Sequence, residues 1–205
     1  EQPDDAIIID PASRKNLEID INQQGSTDHT LAWVMDRTAT AMGSRLLRRW
    51  LNRPIRNRDT LNQRQQLIAE SIEDYHWESL HQQLKGIGDI ERILSRVALG
   101  SARPRDLARL RDALARLPEL QTLLTSLSAD RAKELSALIK QYPQWVEELQ
   151  KAIIDNPPVI IRDGGVIATG YDEELDELRA ISQNAGDYLL EIEQREKEKT
   201  GISTL

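Results

Sequence analysis

Histidine, serine and glycine patterns are the first places where this sequence could carry chemistry. Its three histidines, His29, His76 and His81, lack both the i,i+4 spacing of a helical zinc pair and any accompanying cysteine. The sequence contains no Gly-x-Ser-x-Gly nucleophile motif and no Gly-x-x-x-x-Gly-Lys-Ser/Thr phosphate loop. We therefore predict no catalytic residue, no metal site and no cofactor site in this chain.

An acidic stretch at residues 172–177 is the next candidate, because paired carboxylates can perform acid–base catalysis. Its spacing instead favours the first turns of a helix, with the charges on the side away from Leu175 and Leu178. Negative charge in the first turn of a helix is stabilised by the helix dipole. We interpret this stretch as a solvated helix surface.

Arginines form the most suggestive charged group, because positions 45 to 58 contain six arginines and no acidic residue. Guanidinium groups bind phosphates, so Arg49, Arg53 and Arg56 are candidate contacts for a DNA backbone. Alternatively, these arginines solvate the outer face of a helix or pair with carboxylates of neighbouring helices. A second arginine series at residues 103–116 is interleaved with Asp106 and Asp112, which favours local pairing.

Composition bounds the remaining possibilities. The chain has 205 residues, 39% of them apolar, no Phe, and only 10 Gly and 8 Pro, which favours an all-α protein. A net charge of -7 argues against tight DNA binding by the surface as a whole. The absence of cysteine fits a cytoplasmic location, and no apolar run is long enough to span a membrane. The sequence lacks an initiator Met, so we expect an internal piece of a longer protein.

Helical periodicity organises most of the chain. Residues 30–52 predict a helix pair or a kinked helix that Thr38 or Thr40 can cap, and Pro54 ends it. Asn57 can cap the next helix. Further helices are predicted at about 76–85, 89–99, 104–125, 129–141 and 143–154, two of which begin at a proline.

One interruption precedes the last helix. Residues 159–161 and 166–168 are β-prone and flank a turn at Arg162-Asp163-Gly164-Gly165, so we predict a small β-hairpin. Asp172 then caps a long helix that runs to about Thr200. Apolar residues repeat along it at intervals of four and three, interrupted only by Ser182, which predicts a narrow face that requires a partner: Tyr171, Leu175, Leu178, Ala185, Leu189 and Ile192.

Several sequence blocks, in this order and at these spacings, resemble the core domain of the MutS family of DNA mismatch repair proteins. They are SRKNLE at 13–18, TATAMGSRLLRRWL at 38–51, DIERIL at 89–94, ARPRDL at 102–107 and DGGVIATGY at 163–171. The resemblance covers essentially the whole chain. It implies a multi-helical core and lever domain, with a helical core at 1–156, a β-hairpin connection at 157–171 and an outgoing lever helix at 172–205 that stops before the clamp.

The same resemblance implies a function for the parent protein. Such a parent is expected to be a DNA-dependent ATPase that binds mismatched double-stranded DNA, ATP and Mg, pairs with a second MutS subunit and engages a MutL-like partner. This segment would link the DNA clamp to the ATPase body without being an enzyme itself. Gly164, Gly165 and Gly170 resemble the bend from which the lever starts.

Two alternatives remain open at this stage. The chain could be an autonomous helical module that binds nucleic acid through its arginines, or an oligomerisation module that pairs through the apolar face of its last helix. The core blocks also discriminate poorly between the repair proteins and a related paralogue that acts in recombination.

Overall fold

The computed structural model describes residues 6–201, apart from the side chain of Asp74, and those residues form an all-α fold, as predicted. The described residues contain no strand, and their only β pairings are two isolated antiparallel bridges, Ala6 with Ile55 and Ile153 with Ile167. The helices are α1 Pro11–Asn16, α2 Leu31–Met35, α3 Ala41–Asn52, α4 Arg58–Ile72, α5 His76–Lys85, α6 Ile90–Ala98, α7 Pro104–Thr125, α8 Asp130–Leu138, α9 Pro143–Ala152, α10 Glu173–Gln183 and α11 Ala185–Thr200.

Side-chain caps fix where several helices begin. The Thr40 hydroxyl accepts a hydrogen bond from the Gly43 N–H at 3.0 Å, and the Asn57 side chain accepts one from the Thr60 N–H at 3.0 Å. Asp172 accepts one from the Leu175 N–H at 2.8 Å. Each bond satisfies an N–H that has no partner within the helix. The caps predicted at Thr40, Asn57 and Asp172 are confirmed.

The 22-residue helix α7 lies at the centre of the body and packs against α5, α6, α8 and α9. Buried alanines on α7, Ala108 and Ala113, let neighbouring helices approach closely. Three buried clusters surround this helix and its C-terminal end. Their buried members are Ile87, Ala113, Leu120 and Leu124; Ala108, Ala152, Ile153 and Val166; and Leu127, Ala129 and Ala132.

The predicted β-hairpin is wrong. The second β-prone run pairs with the end of α9 and not with residues 159–161: the Ile154 N–H donates to the Val166 carbonyl, and the Ala168 N–H to the Ala152 carbonyl. This pairing buries Val166 against α7, whereas an isolated two-stranded hairpin would have left it in water. The first run stays exposed and ends in a 3-10 turn at Ile161–Asp163.

The predicted final helix is divided in two. Asn184 has φ -103° and ψ 21°, outside the helical range, and it separates α10 from α11. Hydrogen bonds continue on both sides, from the Asn184 N–H to Ala180 and from the Tyr188 N–H to Asn184, so the interruption is confined to one residue. No helix within residues 6–201, these two included, is long and apolar enough to cross a membrane. The predicted end of this segment, 202–205, lies outside the described residues.

Candidate nucleic-acid interface and lever base

Arg45 is used inside the fold. Its guanidinium donates two hydrogen bonds of 2.8 Å to the carboxylate of Asp89 and one of 2.5 Å to Glu91. This fork joins α3 to the start of α6, and the hydrogen bonds from Arg45 lower the pKa of Asp89 to about 2. For this arginine, pairing with a carboxylate of a neighbouring helix is therefore the correct interpretation.

The three candidate phosphate contacts lie elsewhere on the surface. Arg49 is in the last turn of α3, Arg53 follows that helix, and Arg56 lies just before α4. All three side chains are exposed, as is Arg58 at the start of α4. Among residues 6–201, none of these four arginines forms an ion pair with a carboxylate.

The structure beneath these arginines is held firmly. The guanidinium of Arg64 on α4 lies 3.7 Å from the ring centroid of Trp50 on α3, a cation–π contact between the two helices. The turn between them is fixed by the Ile7 N–H, which donates to the Pro54 carbonyl at 2.7 Å. The candidate phosphate contacts therefore lie on a junction between α3 and α4 whose backbone is held in place.

A second group of polar residues forms the base from which α10 starts. Arg111 on α7 is buried, and its guanidinium donates to the Ile153 carbonyl at 3.3 Å while pairing with Asp112 at 2.9 Å and Asp155 at 3.2 Å. Ile153 in turn bridges to Ile167. The local pairing predicted for the second arginine series is thus observed for Arg111 with Asp112, whereas the carboxylate of Asp106 pairs with Arg96 of α6.

From Ile167 the contacts continue into α10. Arg179 donates to the Ile167 carbonyl at 2.9 Å and to Asp176 at 3.2 Å, while Asp176 accepts a hydrogen bond of 2.6 Å from the Gly170 N–H. The Tyr171 hydroxyl donates to Glu148 on α9 at 2.6 Å, and this bond raises the pKa of the tyrosine. An unbroken series of contacts therefore connects α7 to the start of α10.

The three glycines of the predicted bend all have positive φ: 71° at Gly164, 65° at Gly165 and 87° at Gly170. A Cβ would meet no atom within 4 Å at any of them, so backbone conformation and not space favours glycine. Gly164 and Gly165 follow the 3-10 turn, and Gly170 lies three residues before α10.

Sequence reasoning missed the base residues Arg111, Asp176 and Arg179. A weak signal existed for Arg111, which follows the apolar residue Ala108 by three positions and so falls on the buried side of α7. The interpretation of the acidic stretch as a solvated surface does not hold for Asp176, which binds Gly170 and Arg179. Within the described residues, no group of three or more histidine, aspartate or glutamate side chains could hold a metal ion.

Comparison with protein families identifies the family to which this helical fold belongs. A family model described as MutS domain III matches residues 12–200, which is most of the chain. The blocks that suggested the resemblance are in contact in the fold, since Arg45 of one block binds Asp89 and Glu91 of the next. The chain therefore belongs to the MutS family, and it is a domain III segment of a MutS-type mismatch repair protein.

Proposed function

We propose that this segment links the DNA clamp of its parent protein to the ATPase body and transmits conformational change between them. Residues 1–156 act as the helical core, 157–171 as the connection and 172–205 as the lever, although 1–5 and 202–205 lie outside the described residues. The parent is a DNA-dependent ATPase of the cytoplasm that uses ATP and Mg, binds mismatched duplex DNA, pairs with a second MutS subunit and engages a MutL-like partner.

The contacts at the start of α10, which join Arg111, Ile153, Ile167 and Arg179 and which we name the lever base, are the observation that carries the proposal. A helix can transmit displacement only if its origin is fixed to the body that senses or delivers it. Arg111 holds Ile153, Ile153 pairs with Ile167, and Arg179 ties Ile167 to α10. Each contact involves backbone or a charged group, so the start of α10 cannot rotate without breaking several hydrogen bonds.

Replacing Arg179 with methionine tests the proposal in the full-length protein. Methionine keeps much of the side-chain length but donates no hydrogen bond, so the tie from α10 to Ile167 is lost. We expect the stimulation of ATP hydrolysis by mismatched DNA to fall about tenfold, which corresponds to an ordinary coupling energy between sites. Hydrolysis without DNA should stay at its original rate.

Arg195→Met provides the matched control, because Arg195 is an exposed arginine on α11 that forms no ion pair within residues 6–201. It should retain full stimulation. If both variants lose stimulation equally, or if Arg179→Met retains it, the lever base does not transmit the signal and the proposal fails.

A further inference from the structure

The four exposed arginines near the end of α3 form a surface that the lever function does not use. We name this surface, made of Arg49, Arg53, Arg56 and Arg58, the arginine strip. It concentrates four positive charges, unpaired within residues 6–201, on a chain whose net charge is -7. Several arginines elsewhere are paired with carboxylates instead, as Arg45 is with Asp89 and Arg96 with Asp106. Four unpaired positive charges within ten residues of the chain repel one another, which favours an anionic partner.

The strip is also preorganised. Arg49 and Arg53 are one helical turn apart, and the Arg53 N–H donates to the Arg49 carbonyl at 2.9 Å, so their Cα atoms have a fixed spacing. Arg56 follows Ile55, which pairs with Ala6, and Arg58 starts a helix capped by Asn57. Binding would therefore order only the arginine side chains and no backbone, which lowers the entropic cost.

The surroundings of the strip select between two kinds of anionic partner. Residues 41–58, which carry the strip, expose one large apolar side chain, Leu46, at 41%, and the adjoining segment adds Ile7 and Ile8. A protein partner needs a larger apolar centre to its interface than these three side chains provide. Interfaces with DNA are polar and positively charged, and guanidinium forks match phosphate oxygens. We propose that the arginine strip binds consecutive phosphates of a DNA backbone without reading base sequence.

The test uses this chain and fluorescence anisotropy on a long matched duplex and on the same duplex with a single mismatch, over a series of salt concentrations. The variant carries Arg49→Gln, Arg53→Gln and Arg56→Gln. Losing three phosphate contacts should reduce the slope of log affinity against log salt by about 2.7 and lower affinity at low salt at least about tenfold. The unsubstituted chain should bind both duplexes with equal affinity, because contacts to the phosphate backbone do not depend on base pairing.

A control variant carries Arg109→Gln, Arg162→Gln and Arg195→Gln, which removes the same charge from exposed arginines elsewhere. It should keep most of the affinity and slope. Equal losses of affinity in both variants would overturn the proposal. Undetectable duplex binding by the unsubstituted chain, or a preference of that chain for the mismatched duplex, would also overturn it. The proposal would also fail if the Arg49, Arg53 and Arg56 variant lost affinity for a polyglutamate peptide but kept its affinity for the duplex. These results are independent of the lever, since ATP hydrolysis is not measured.

Discussion

Replacing Arg96 with methionine is expected to lower the free energy of unfolding by about 3 kcal/mol, because it leaves a buried carboxylate without its cation. Arg96 on α6 donates to both oxygens of Asp106 on α7, at 2.8 and 2.6 Å. The Asp106 side chain is only 9% exposed, and within residues 6–201 its one other hydrogen-bond partner is the Arg103 N–H at 3.0 Å. Urea unfolding followed by circular dichroism measures the effect.

A second substitution separates the ion pair from simple loss of packing. Adding Asp106→Asn to Arg96→Met removes the unpaired charge while keeping an acceptor for the Arg103 N–H, so part of the lost stability should return. If the double variant is less stable than Arg96→Met by the full cost of Asp106→Asn alone, the two side chains are not coupled and the explanation is wrong.

Acid should remove the difference in the free energy of unfolding between the unsubstituted chain and the Arg96→Met variant. The hydrogen bonds from Arg96 hold the pKa of Asp106 below its ordinary value of 3.8. A carboxyl with a lowered folded pKa contributes stability above its unfolded pKa and loses it as the pH falls through the folded value. The two unfolding curves should therefore converge below about pH 4.

Leu127→Ala is expected to lower the free energy of unfolding by about 3 to 4 kcal/mol, because replacing a fully buried leucine with alanine leaves a cavity. Leu127 is 2% exposed and packs with Ala129 and Ala132, while Leu67 of α4 and Leu80 of α5 close the same cluster. The surrounding alanines are too small to fill the space. The denaturation midpoint should fall with little change in the slope of the urea curve.

The control for this cavity is Leu138→Ala at the end of α8, where the leucine is 74% exposed. It should change stability by less than about 0.5 kcal/mol, as surface substitutions do. Equal effects at Leu127 and Leu138 would mean that the cluster around Leu127 does not contribute to the core as described.

Helix positions could be predicted from the sequence because they depend on neighbouring residues. The caps at Thr40, Asn57 and Asp172 bind N–H groups three residues away, and Pro104 and Pro143 mark helix starts through their own geometry. The hairpin failed because local β propensity cannot reveal a distant partner. Residues 166–168 had a better one at the end of α9, where Val166 is buried against α7.

Separating structural from exposed arginines required the fold. Arg45 and Arg49 lie one turn apart in the same basic run, yet Arg45 binds Asp89, 44 positions along the chain, while Arg49 faces solvent. Nothing in the spacing of the arginines distinguishes them. Asn184 was equally invisible, because a single asparagine within an otherwise helical pattern is usually tolerated.

The central claim, that α10 and α11 are a lever fixed to the helical body, is tested most directly by distance measurement between spin labels. The chain has no cysteine, so Glu119→Cys on α7 and Glu191→Cys on α11 would be labelled uniquely. We predict one narrow distance distribution for this pair, which broadens when Arg179→Met is added. A broad distribution in the parent pair, or one that Arg179→Met leaves unchanged, would contradict the lever.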